Sequence, residues 1–172
     1  ALEKHVAPLQ DVHRAIGMMR TRAEEWKIDA KRVGILGFSA GGHLAAMALT
    51  SDGTRSYETD AQFDSPGCVP DFAVLVYPAY LLDDANPDKL SSELKVTEKT
   101  PPAFLIVAHD DSKFVEGSAR FYIEMKRKER SCELHIFSKG GHGFGFANTK
   151  EEIRQWPALA GEWIKAMGLT KN

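Results

Sequence analysis

The sequence predicts an α/β fold: a mostly parallel sheet of about four strands with helices on both faces. Three observations carry this expectation. Four short apolar runs are each bounded by turn residues, helix-patterned segments alternate with them, and a glycine-flanked serine stands at one strand-to-helix junction. Short, continuously apolar runs are what strands buried on both faces look like, and their alternation with helices makes βαβ units. At 172 residues the chain is long enough for one core, and a single domain over 1–172 is expected.

The elements follow in order. Residues 8–27 read as an amphipathic helix, with Pro8 at its start and Leu9, Val12, Ile16, Met19, Ala23 and Trp26 at helical spacing. Arg14, Arg20, Arg22, Glu24 and Glu25 fill the other face. The run Arg32-Val33-Gly34-Ile35-Leu36-Gly37-Phe38 is a buried strand, and the Ala/Leu/Met-rich residues 40–50 form a helix. Residues 51–71 are expected to be loop. A second strand covers 72–78 and stops at Pro78. Residues 79–102, rich in Asp, Ser and Pro, form a long connection with one short helix near 90–94; connections of that length are usually functional or mobile. A third strand over 103–108, a helix over 114–130 with a cationic last turn, and a fourth strand over 133–137 follow. A helix over 150–167, kinked at Pro157, closes the chain.

Composition excludes several classes. Hydrophobic residues at 43% and charged residues at 27% speak for a packed globule rather than disorder. With 22 Lys plus Arg against 24 Asp plus Glu, the formal charge of −2 gives no basic excess to hold a phosphate backbone, so no nucleic-acid partner is expected. No apolar run nears the ~20 residues of a membrane helix, so no membrane partner is expected either. Cys68 and Cys132 allow at most one disulfide and are read as free thiols. Neither His-x-x-x-His, His-Glu-x-x-His nor Cys-x-x-Cys occurs, so no metal and no cofactor is expected. Ala1-Leu2-Glu3-Lys4-His5 carries no signal peptide and no initiator Met, which suggests a chain that begins inside a longer product.

The chemistry gathers at strand ends. Gly37-Phe38-Ser39-Ala40-Gly41-Gly42 is a G-x-S-x-G sequence between an expected strand and an expected helix. Such a turn lifts the Ser39 hydroxyl above the sheet and sets the Ala40 N–H beside it as an oxyanion donor, with the helix N-terminus adding positive potential. A serine nucleophile needs a base and a group that orients the base. Asp110 and Asp111 directly follow the third strand, and His142 follows the fourth in Lys139-Gly140-Gly141-His142-Gly143-Phe144-Gly145. The order Ser, Asp, His and the common sheet edge agree with one another. His43 and His109 are read as supporting residues, His5, His13 and His135 show no partner spacing, and Asp83-Asp84 is read as a solvated loop face. Tyr77, Tyr80, Phe144 and Phe146 flank the expected site, as acyl-pocket wall or as plain core.

These residues resemble the α/β-hydrolase superfamily, and within it the small acetyl-xylan esterase-like enzymes related to the hormone-sensitive-lipase group. The segments that carry the likeness are Ala7-Pro8-Leu9-Gln10-Asp11, residues 32–43 (RVGILGFSAGGH), 70–80 (PDFAVLVYPAY), 101–118 and 133–146 (ELHIFSKGGHGFGF). The resemblance implies Ser39 as nucleophile, His142 as general base and Asp111 as the orienting acid, because the loop from Asp111 to Ser118 fits the family's register; Asp110 is the alternative. It also implies several strands ahead of the first helix, and a Gly-rich loop there giving a second oxyanion donor, neither of which these 172 residues hold. One lost donor costs about 10²- to 10³-fold in rate. By this likeness the chain is the C-terminal part of the full fold, with an apolar edge along residues 32–38 open to another chain and so to homo-dimerisation.

Three functions are expected on these grounds. The first is a serine ester hydrolase for short acyl groups, with a small ester or an acetylated carbohydrate as substrate. The second is an impaired hydrolase fragment acting as an assembly module. The third is a prolyl-oligopeptidase-type peptidase, although Ala40 directly after Ser39 matches the esterase pattern better.

Overall fold

A computed structural model of the chain describes residues 5–146 and 151–170. Residues 1–4 and Lys150, where the last helix was expected to begin, lie outside them. The strands β1 (Gly34–Phe38), β2 (Phe72–Val76), β3 (Ala103–Ala108) and β4 (Cys132–Phe137) form one parallel sheet in the order β1-β2-β3-β4. The helices α1 (Val6–Thr21), α2 (Ala40–Thr50), α3 (Ala61–Asp64), α4 (Val115–Arg127) and α5 (Trp156–Ala166) complete the fold.

Strand composition decides the layering. On one face Ala73, Leu75, Ala103 and Leu105 pack against Ala45, Ala46 and Leu49 of α2 and against Phe121 and Met125 of α4. On the other, Val74, Val76, Phe104 and Ile106 meet Ile153, Trp156, Ala160 and Trp163 from the α5 end of the chain. Every residue of β3 is buried, so its six-residue apolar run is a central strand without alternation. β1 and β4 are the edges of the described sheet, and Leu36 (47% exposed) and Ile136 (46%) show it. No helix among the described residues is long and apolar enough to cross a membrane.

Four expectations need correction. α1 ends at Thr21 rather than 27; residues 22–27 are tight turns closed by Lys27 at φ 56°, with the Ile28 N–H donating back to the Ala23 carbonyl at 2.9 Å. Residues 51–71 are not all loop. Asp60 accepts the Gln62 N–H at 2.8 Å and so caps the short helix α3. No helix forms near 90–94; there Leu90 bridges Leu82 in antiparallel fashion. Pro157 does not kink a long helix but stands in the first turn of α5, where its missing N–H is harmless, behind a 3-10 turn over Glu152–Gln155.

The charged face of α1 is also less solvated than its pattern implies. Arg14 reaches Asp64 of α3 at 2.9 Å, and Arg20 reaches Asp71 at 3.1 Å. Asp64 is buried, and Arg55 at 3.4 Å, the Tyr57 hydroxyl at 2.9 Å and the Asp60 N–H at 2.8 Å all converge on its carboxylate. Burial works against ionisation of Asp64, yet these donors and cations outweigh it and hold its pKa below the usual carboxylate value.

Candidate active site

Three parallel strands end at the same sheet edge, and each delivers one polar side chain there. Ser39 sits between β1 and α2 at φ 51° and ψ −121°, a strained backbone for a residue with a Cβ. Its N–H donates to the Val76 carbonyl at 3.1 Å, and its own carbonyl accepts from Gly42, His43 and Ala79 at 2.9, 3.1 and 3.0 Å. The turn is therefore pinned both to β2 and to its own helix. The glycines are steric necessities: a Cβ on Gly37 would overlap the Gly41 carbonyl oxygen, and one on Gly42 would meet Pro78 at 2.9 Å. Ala40, the first residue of α2, keeps an N–H that no helical carbonyl can take.

From this turn a hydrogen-bonded line runs across the sheet edge. Ser39 Oγ lies 2.8 Å from His142 Nε2, and His142 Nδ1 lies 2.7 Å from Asp111 Oδ2. Asp111 is 4% exposed; the tight turn after β3, with the Asp111 carbonyl accepting from Phe114 and Val115 at 3.1 Å each, faces it inward. Asp110 points elsewhere, accepting the Gly141 N–H at 2.7 Å. That bond lowers the Asp110 pKa, and it ties the loop carrying Asp111 to the loop carrying His142. Gly141 and Gly143 flank His142 at φ 59° and 84°, values that suit glycine. Trp156 fastens the far side of the same loop, its Nε1–H donating to the Gly145 carbonyl at 2.8 Å.

Aromatic rings flank the imidazole, whose side chain stays 35% exposed. Tyr77 packs edge-on at 5.0 Å between ring centres, Phe114 lies tilted at 4.9 Å, and Phe144 backs Tyr77 at 4.5 Å. Burial raises the Tyr77 pKa, with the nearby Gly145 backbone acting weakly against it. Phe146, 71% exposed, leans on Phe38, and Tyr80, 56% exposed, stands over Phe114. The sequence singles out neither Phe114 nor Trp156 as a site residue. Neither belongs to a motif, and the cue for Phe114 was only its closeness to Asp111.

Three of the remaining histidines have structural partners. His43 Nε2 is 2.9 Å from Glu93 Oε1, His135 Nε2 is 2.6 Å from Glu133 Oε1, and His13, 2% exposed, meets the Ser51 hydroxyl at 3.3 Å. Asp83 accepts the N–H groups of Ala85 and Asn86 at 2.9 and 2.8 Å, a local turn cap. Cys68 and Cys132 are free, and burial pushes the Cys132 thiol up to about 12, well away from a reactive thiolate. Chemically, a hydroxyl, an imidazole and a buried carboxylate in line, with a helix N-terminus beside the hydroxyl, can support nucleophilic attack with proton relay.

Comparison with known proteins agrees with this architecture. The BD-FAE family model matches residues 2–77. An acetylxylan esterase of Xylanibacter ruminicola is 29% identical over 96% of this chain, and the chain spans 37% of that relative's length. Among solved structures, an acetyl ester-xyloside bifunctional hydrolase from Caldicellulosiruptor lactoaceticus superposes with a TM-score of 0.84 at 34% identity, covering 98% of this chain and 68% of the other. An α/β-hydrolase enzyme from a Medee basin deep-sea metagenome library gives 0.74 at 23% identity, covering 92% of this chain and 64% of the other, a likeness of fold. With four parallel strands, a serine turn after the first and relatives that are esterases and hydrolases, the chain belongs to the esterase-like α/β-hydrolase superfamily.

Proposed function

We propose that the chain is a serine ester hydrolase for short acyl groups, acting on acetylated carbohydrate. One observation carries the reading: the line from Ser39 Oγ through His142 to Asp111, with contacts of 2.8 and 2.7 Å. In this mechanism Ser39 Oγ attacks the ester carbonyl while His142 Nε2 takes its proton. Asp111 fixes the Nδ1–H tautomer and stabilises the imidazolium. The Ala40 N–H donates to the oxyanion, favoured by the α2 N-terminus. The tetrahedral intermediate expels the sugar alcohol, which takes the proton from His142, and leaves acetyl on Ser39. Water, deprotonated by His142, then releases acetate and regenerates the serine. The names of the two esterase-type relatives, one acting on acetylxylan and one on acetyl ester and xyloside, support the carbohydrate acetate as substrate class.

The test is hydrolysis of p-nitrophenyl acetate by the 172-residue chain against Ser39→Ala. Activity that disappears with the serine is expected; equal slow rates in both proteins would refute the reading. A second reading, assembly through β1, has the half-exposed Leu36 on the sheet edge in its favour. Sedimentation of the chain at micromolar concentration distinguishes a dimer across residues 32–38 from a monomer.

A further inference from the structure

The connection from β2 to β3 holds an aromatic ring out beside the serine turn. Tyr80 stands at φ 57° with 56% of its surface exposed, a backbone that a bulky residue adopts only when its surroundings impose it. The Ser91 hydroxyl imposes it here, lying 2.9 Å from both the Tyr80 and the Leu82 carbonyl oxygens. The far end of the same loop is pinned by Glu93 to His43, one helical turn beyond Ser39. Between these fixed points lies an open cavity of about 900 Å³ that starts at Ala40 and is walled by Tyr80, His43, Asp84, Ser92 and Glu93, in the size range of small-molecule sites.

Its chemistry is selective. Rings lead to it directly from the imidazole: His142 to Phe114 at 4.9 Å, Phe114 to Tyr80 at 5.4 Å, Tyr80 to His43 at 6.3 Å. Among the described residues no lysine or arginine lines it, whereas carboxylates do. A flat exposed ring suits the C–H face of a pyranose, and carboxylates accept from sugar hydroxyls while repelling an anionic ligand. We infer that this cavity is the leaving-group subsite, taking an uncharged pyranose with Tyr80 as its stacking platform and Asp84 and Glu93 as hydroxyl acceptors. The inference rests on the ester-hydrolase reading and makes Tyr80 a specificity-determining residue.

Two measurements test it. Tyr80→Gly deletes the ring and relaxes the positive φ, so the loop keeps its course. The ratio of kcat/KM for a mono-acetylated methyl β-xylopyranoside to that for ethyl acetate should fall by about ten-fold, the order of one lost packing contact; an unchanged ratio overturns the inference. Independently of turnover, xylotriose titrated into 15N-labelled Ser39→Ala should shift the amides of Tyr80, Asp84 and Ser92, and glucuronic acid should shift them far less. Perturbation elsewhere, or equal response to both sugars, overturns it. If the wild-type chain hydrolyses neither ester while xylotriose still shifts these amides, the subsite stands and the hydrolase reading falls.

Discussion

Replacing Asp111 with asparagine changes little in shape and much in proton placement. The carboxylate is 4% exposed and lies 2.7 Å from His142 Nδ1. A carboxylate can only accept at that contact. It therefore keeps the ring proton on Nδ1 and leaves Nε2, 2.8 Å from Ser39 Oγ, free to take the serine proton. An asparagine can turn its NH2 toward Nδ1, which moves the ring proton to Nε2, where it blocks the transfer. The imidazolium formed during attack also loses its counter-charge. Together these predict a fall in kcat of about 10⁴-fold, which is about 5 kcal/mol at 1.36 kcal/mol per decade. KM should change little, because Asp111 lies behind the imidazole. Asp110→Asn is the internal control: its amide oxygen can still accept the Gly141 N–H, and the imidazole is untouched, so its loss should stay within about ten-fold. Initial rates of acetyl ester hydrolysis by both purified variants, with circular dichroism as a check on folding, decide the matter. Asp111→Asn within ten-fold of wild type, or an equal fall in Asp110→Asn, would refute this account of the acid.

Three further outcomes are expected. Ser39→Gly should abolish hydrolysis yet raise the melting temperature, since the residue at φ 51° stores about 1 kcal/mol of strain that glycine releases; a lower melting temperature would contradict the strained turn. Asp64→Asn should melt several degrees below wild type near neutral pH, because it strips the charge that Arg14, Arg55 and Tyr57 converge upon. The folded pKa of Asp64 is depressed, so the advantage of the wild type is present above the unfolded carboxylate value and should fade as pH falls through the acid range below it. His13 has its pKa lowered by burial first, then by Arg55. The unfolded chain binds that proton more readily, so stability should decline as pH drops below about 6.5. His13→Gln should flatten that slope in a thermal melt series, and an unchanged slope would assign it to another group.

Much of this architecture was readable from residue order. β2 and β3 lie buried on both faces, so their apolar runs were continuous and their limits nearly exact. The convergence of Ser39, the acidic pair and His142 was also readable, because parallel strands in sequence order bring their carboxyl ends to one edge. Between Asp110 and Asp111 the residues alone do not choose, since the two are adjacent; the family register favours Asp111, and the turn after β3 turns Asp111 toward the imidazole and gives Asp110 to Gly141. The ion pairs of Arg14 and Arg20 leave no trace in the helix pattern, because their partners, Asp64 and Asp71, lie far along the chain in a stretch expected to be loop. The four residues of α3 are too few for a period to register, and only the Asp60 cap marks them. Pro157 fits a kink and a helix start equally well by pattern; the preceding 3-10 turn decides for the start.

The most direct test of Ser39 as an activated nucleophile is intact-protein mass spectrometry after treatment with a serine-directed fluorophosphonate. One adduct per chain, mapped to Ser39, absent in Ser39→Ala and slowed in His142→Ala, is the predicted result. A chain that takes up no adduct, or one that labels equally without Ser39, would contradict it.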